Sequence, residues 1–199
     1  KCLTNLKEIF LFFCLVLILM IPLFLLACRS DEEAVGELVP YTSPNYPITL
    51  QMPENWAVTD DADSITIASD ESLLLASSVT DGARVNIVVT PSVFTGTANA
   101  TEVLDTAVRT FRNQEEAEVI QEIENIVINT QPTVQTVLRG PDSQGNPIIF
   151  RYMVIQNLAE GQTAVVAAVH DADQNNRYGQ LMADIVNSIR LGELFPEQQ

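Results

Sequence analysis

Apolar and polar residues alternate along Ile48-Thr49-Leu50-Gln51-Met52, the two-residue period of a strand with one buried face. Pro53 ends that run, Trp56–Thr59 resumes it, and Asp60-Asp61-Ala62-Asp63 reads as a solvated turn. Ser64–Ala68 alternates again, and Arg84–Thr90 is a strand bounded by Asp81-Gly82 and Pro91. Leu73-Leu74-Leu75-Ala76 is too short an apolar run to be assigned a type.

The period then changes. Asn99 and Glu102 have capping-box spacing, and Val103, Leu104, Ala107, Val108 and Phe111 fall on one helical face. Strands follow at Val119–Ile128, with imperfect alternation, and at Thr133–Arg139. Pro141–Pro147 is dense in turn residues, so it joins the second of these to Ile148–Gln156, and Glu160-Gly161 leads on to Thr163–His170. These last two are nearly unbroken apolar runs, as in strands covered on both faces. Tyr178, Leu181, Met182, Ile185, Val186 and Ile189 form a broad helical stripe, with Asp173 or Asn175 as its cap and Gly192 just past its end. Two helices and about seven strands, in runs rather than strict alternation, predict an α+β fold with an antiparallel sheet.

Ahead of the domain the pattern differs. Lys1 and Lys7 make a short positive stretch, and Ile9 to Ala27 carries no charge. Leu25-Leu26-Ala27-Cys28 follows, with charge resuming at Arg29. A small residue before the cut fits signal-peptide processing. The run resembles the bacterial lipoprotein signal family, in which the cysteine after the cut carries lipid. That resemblance implies a signal peptide at 1–27, its beginning lost because Lys1 is no start methionine, and a lipidated (palmitate-bearing) Cys28. The alternative is an uncleaved transmembrane helix, for which the run is long enough. More than one acyl chain holds a protein firmly on its membrane without a basic surface. Residues 29–45, acidic and containing Gly36, Pro40 and Pro44, read as a flexible tether. With Cys28 they divide the chain into 28–45, a domain at 46–192 and a tail at 193–199.

Charge narrows the partners. The chain has 26 acidic against 10 basic residues, a net charge of −16, and no lysine after Lys7. Such a surface repels phosphate backbones, which argues against nucleic acid as a partner. The three cysteines, at 2, 14 and 28, all precede the domain, so it has no disulfide, cysteine–zinc site or cysteine nucleophile.

The opening Ile48-Thr49-Leu50-Gln51-Met52-Pro53-Glu54-Asn55-Trp56 and the closing Tyr178…Leu181…Ile185…Ser188-Ile189 are similar to those of the PsbP-like superfamily, over roughly 45–191. Ile48 stands where that family usually has an aromatic, and Ile189 where it has Phe. The resemblance implies an α/β/α sandwich, with helices packed on the faces of an antiparallel sheet. It also implies a role in binding and assembly rather than catalysis. No family site maps onto this sequence residue by residue.

The candidate chemistry is sparse. His170, the one histidine, ends a strand before Asp171; either a hydrogen-bonded structural role or a metal-ligand or base role is open to it. Asp171-Ala172-Asp173-Gln174-Asn175 begins with calcium-loop spacing, making Asp171 and Asp173 weak metal candidates. The loop then has Asn176 where the sharp turn needs glycine and Met182 where a glutamate would ligate. Trp56 reads as core, and Arg109 and Arg112 as partners of nearby acids. Nucleophile-elbow, P-loop, dinucleotide and zinc-protease motifs are missing, and no cofactor is implied. The expectation is a non-enzymatic extracytoplasmic lipoprotein, held on the cell membrane by Cys28, whose domain binds a protein partner. The alternative is a lipoprotein that binds a cation or small ligand through its acidic loops.

Overall fold

The computed structural model describes residues 36–91 and 100–192. The signal, Cys28, the 193–199 tail and Asn99 lie outside the described residues. Ten strands and two α-helices are described. In chain order the first elements are β1 (Leu38–Thr42), β2 (Ile48–Pro53), β3 (Ala57–Asp60), β4 (Ile65–Ala68), β5 (Ala83–Pro91) and α1 (Ala100–Arg112). They are followed by β6 (Glu118–Ile128), β7 (Gln131–Pro141), β8 (Pro147–Asn157), β9 (Gln162–Asp171), α2 (Asn175–Asn187) and β10 (Arg190–Leu191).

Seven strands form one antiparallel sheet in the order β3-β4-β5-β9-β8-β7-β6, and β1-β2-β10 form a second. Register assigns the faces of the larger sheet. Val134, Val154 and Val165 stand side by side on the face that packs Leu104 and Val108 of α1. The opposite face presents Met153, Val166 and Ile87 to Tyr178, Met182, Ile185 and Val186 of α2 and to Ile48 and Leu50 of β2. The fold is therefore α+β, with a helix on each face. Each fully buried Ile or Leu in these layers contributes roughly 1.5–3 kcal/mol. Trp56 is part of the larger core, with its ring edge-on to Tyr178 at 6.2 Å between centroids.

Several expectations need correction. Leu38–Thr42, read as tether, is strand β1. Its apolar residues Leu38, Val39 and Tyr41 do not keep a two-residue period, and Pro40 is tolerated because β1 is an edge strand. There are ten described strands rather than about seven, β10 being a pair of residues that no periodicity reveals. Within Leu73–Ala76 a 3-10 turn, Glu71–Leu73, ends, and Leu75 is exposed. The stripe of α1 is narrower than expected, since Ala107 is exposed. Asp171, not Asp173 or Asn175, caps the turn that leads into α2: its side chain accepts from the Asp173 N–H. The imperfect alternation of β6 is two register shifts against β7, at Val119/Gln121 and Gln121/Glu124.

Candidate binding site

From Pro147 to Ile155 strand β8 has one charged residue, Arg151, which follows Ile148-Ile149-Phe150 at its centre. Register places Arg151 between Val137 of β7 and Ala168 of β9, and Ile149 beside His170. These side chains share the face that α2 covers, toward the end of the sheet where β6 is the edge. Between α2 and β6 that face opens into a cavity of about 250 Å³. Val137, Ile149 and Met182 give it apolar walls, Arg151 and His170 add its charged and titratable groups, and Ile120 stands at its β6 side. The irregular register of β6 places Ile120 there, for a bulge puts an extra residue on one strand and re-aims side chains.

The polar groups are linked in series. Arg151 Nη1 donates to Gln135 Oε1 at 3.1 Å, and Gln135 Nε2 donates to Glu124 Oε1 at 2.8 Å. Gln121 Nε2 donates to the same carboxylate oxygen. The amide of buried Gln135 therefore lies between the guanidinium and its nearest counter-charge. Burial lowers the pKa of Arg151, and Glu124 opposes that shift. Among the described residues no carboxylate stands within ion-pairing distance of Arg151, whereas Arg109 and Arg112 pair with Asp105 and Glu122 as expected.

His170 is 4 % exposed, and its Nε2 faces Asn175 Oδ1 at 3.0 Å. Burial pushes its pKa below the ordinary value and nearby Arg151 adds to this, while the Asn175 contact and Asp171 act the other way. Asp171 uses both carboxylate oxygens on backbone: Oδ1 accepts from the Asp173 N–H and Oδ2 from the Asp81 N–H, each at 2.9 Å. Its oxygens thus hold a turn together. Asp173 is exposed, and among the described residues no cluster of three His, Cys, Asp or Glu could hold a metal ion. A larger cleft, about 700 Å³ at the start of α1, has no ionisable side chain among its lining residues. The cavity beside Arg151 is smaller, and its chemistry is richer.

Sequence reasoning singled out His170 but missed Arg151, Gln135 and Glu124. An arginine inside an apolar strand was the available signal. Its link to Gln135 and Glu124 needs the cross-strand register, which the irregularities of β6 conceal.

No protein-family model matches this chain, and no curated protein matches it. Solved structures do. Cyanobacterial PsbP (CyanoP) from Synechocystis is 14% identical, with TM-score 0.53 over 82% of this chain and 97% of its own. The Ran-binding protein Mog1p of Saccharomyces cerevisiae is 8% identical, with TM-score 0.53 over 79% and 97%. LpqN of Mycobacterium tuberculosis, involved in cell envelope biogenesis, is 14% identical, with TM-score 0.50 over 77% and 89%. The shared element is the fold, and the domain has the PsbP-like/Mog1 architecture that its opening and closing segments resemble. Among the described residues no helix is long and apolar enough to cross a membrane.

Proposed function

We propose that this protein is a membrane-anchored extracytoplasmic lipoprotein whose domain binds a protein partner, without catalysis, at the groove between α2 and β6. The carrying observation is the pairing of an arginine that has no carboxylate at ion-pairing distance among the described residues with an exposed aliphatic residue on an edge strand. Ile120, at the groove, is 51% exposed, and Val127, farther along β6, is 71% exposed. Arginine and apolar anchors are what binding sites concentrate. The non-catalytic reading is supported by the surroundings of His170: its Nε2 is taken up by Asn175 Oδ1, and among the described residues no hydroxyl or thiol nucleophile is hydrogen-bonded to the ring. Two neighbours in fold point the same way, one being named for binding Ran and one for a role in the cell envelope. Lipid on Cys28 would hold the domain at its membrane.

The test is crosslinking and affinity purification of the tagged protein from native membranes, beside Cys28→Ala and Ile120→Asp. A partner lost in both variants supports the reading. Capture that is indifferent to Ile120→Asp removes the groove from it, and capture indifferent to Cys28→Ala removes the anchor.

A further inference from the structure

The geometry points to a more specific ligand: the cavity beside Arg151 binds a carboxylate carried on a short aliphatic group. This rests on the reading above for the place where a partner docks, and adds the chemistry recognised there.

A guanidinium offers five N–H donors in a planar fork that matches the two oxygens of a carboxylate. Arg151 gives one of them to Gln135, and Gln135 is the one acceptor on it among the described residues. The orientation of Gln135 is fixed by its own donation to Glu124. The amide therefore positions the arginine without neutralising it. A half-buried charge whose nearest counter-ion, Glu124, stands behind an intervening amide is only partly compensated, and an anion entering the cavity would complete that compensation. Within a chain so rich in acid, Arg151 is held apart from every described carboxylate by the register of β7 and β8.

The rest of the cavity selects among anions. Its walls at Val137, Ile149 and Met182 are buried aliphatic and thioether surface, suited to a few methyl or methylene groups. A volume of about 250 Å³ is below the ~300–1,000 Å³ that encloses a drug-sized ligand, so the occupant is small. One guanidinium with Glu124 nearby suits a single negative charge better than a phosphate dianion. Two sources share this chemistry: a free short-chain acid, and the C-terminal carboxylate of a protein that ends in an aliphatic residue.

The experiment is calorimetric titration of the full chain in detergent with isovalerate and with N-acetyl-glycyl-valine, using isovaleramide and the C-terminally amidated peptide as controls. The expected result is binding of one or both carboxylates and at least about tenfold weaker binding of the amides, as loss of a charge-assisted hydrogen bond implies. Arg151→Gln is expected to weaken the carboxylates by a similar factor. Ile120→Glu, a change at an exposed position, places a competing carboxylate at the cavity and is expected to weaken them several-fold while the fold is kept. Preference for the peptide identifies a chain terminus as the ligand; equal or better binding of isovalerate identifies a free acid. The proposal is overturned if neither carboxylate binds, if the amides bind equally well, or if folded Arg151→Gln and Ile120→Glu both bind like the parent. A partner captured from membranes while every titration is silent would sink the carboxylate alone. Carboxylate binding with no partner captured would sink the docking reading alone.

Discussion

Gly179 and Asn175 compete for one volume: a Cβ on Gly179 would stand 2.5 Å from Asn175 Oδ1, and that oxygen faces His170 Nε2 at 3.0 Å. A glycine within a helix ordinarily costs up to about 1 kcal/mol relative to alanine. Here its lack of a side chain lets the first residue of α2 fold its amide against a buried histidine. The two effects oppose each other in Gly179→Ala, since the helix gains while Asn175 swings away and leaves His170 unpartnered, at about 1 kcal/mol or more. Gly179→Ala is therefore expected to be neutral or destabilising alone and stabilising by roughly 0.5–1 kcal/mol in an Asn175→Ala background. Urea unfolding of the four proteins of this cycle measures the coupling. Equal effects of Gly179→Ala in both backgrounds would remove the link.

The sequence makes the periodic parts of this molecule readable and hides those that depend on a neighbour. The stripe that runs through α2 from Tyr178 to Val186 and continues to Ile189 just past its end, and the alternation at Ile48–Met52, each carry their own signal, since one face of each is buried. Strand β1 carries none that outweighs Pro40, and it exists because β2 offers a ladder from Leu38↔Pro53 to Thr42↔Thr49. At the site, His170 and Arg151 are visible as a lone histidine and an arginine among apolar residues. That Arg151 meets Gln135, and Gln135 meets Glu124, follows only from three strands in register, one of them irregular. Asn175 read as a helix cap because its chemistry suits one, yet Asp171 holds the capping role, which leaves the Asn175 side chain for His170.

The hairpin between β6 and β7 turns on Asn129 and Thr130, both with positive φ, 50° and 69°. Ile128 pairs with Gln131 across it, so it is a two-residue loop with the backbone signs of a type I′ turn. Asn129 tolerates this conformation, and its Nδ2 is anchored on the carbonyl oxygens of Ile189 and Asn187. Thr130 is β-branched and strained there. Replacing Thr130 with glycine is expected to stabilise the protein by roughly 1 kcal/mol, a rise in Tm of about 2–4 °C. A fall in Tm would show that the threonine side chain contributes more than its backbone strain costs.

His170 makes stability depend on pH with a definite sign. Burial, its main influence, keeps the folded-state pKa below the ordinary 6.5. As pH falls through about 6.5 the unfolded chain takes up a proton that the folded chain resists, so stability contributed by the neutral ring is complete above that pH and lost below it. The slope for one proton is at most about 1.4 kcal/mol per pH unit. Carboxylates and net charge also respond to acid, so the comparison is with His170→Gln, which cannot titrate. The stability advantage of the parent over the variant is expected to shrink between pH 7.5 and 5.5. An advantage that stays constant over that interval would mean that the folded and unfolded histidines have the same pKa.

Gln131 does the work of a strand for β10. The Leu191 N–H donates to Gln131 Oε1 at 3.0 Å, and Gln131 Nε2 donates to the Leu191 carbonyl oxygen at 2.7 Å. One side-chain amide thus reproduces both bonds of an antiparallel pair, on the edge of β10 opposite β2. Leu191 is 3% exposed, so its N–H has little access to water once Gln131 is removed. The carbonyl keeps a second donor in Asn157 Nδ2 at 3.2 Å, and the loss falls mainly on the N–H. Gln131→Ala is expected to cost roughly 1–3 kcal/mol. Gln131→Glu keeps the acceptor but sets a carboxylate against the Leu191 carbonyl, and it is expected to cost at least as much. Hydrogen exchange gives the local readout: the Leu191 amide should lose protection in Gln131→Ala well beyond the amides of β8 and β9. If its protection falls only in step with theirs, the amide bracket does not hold β10 locally, and global stability alone accounts for the order of the segment.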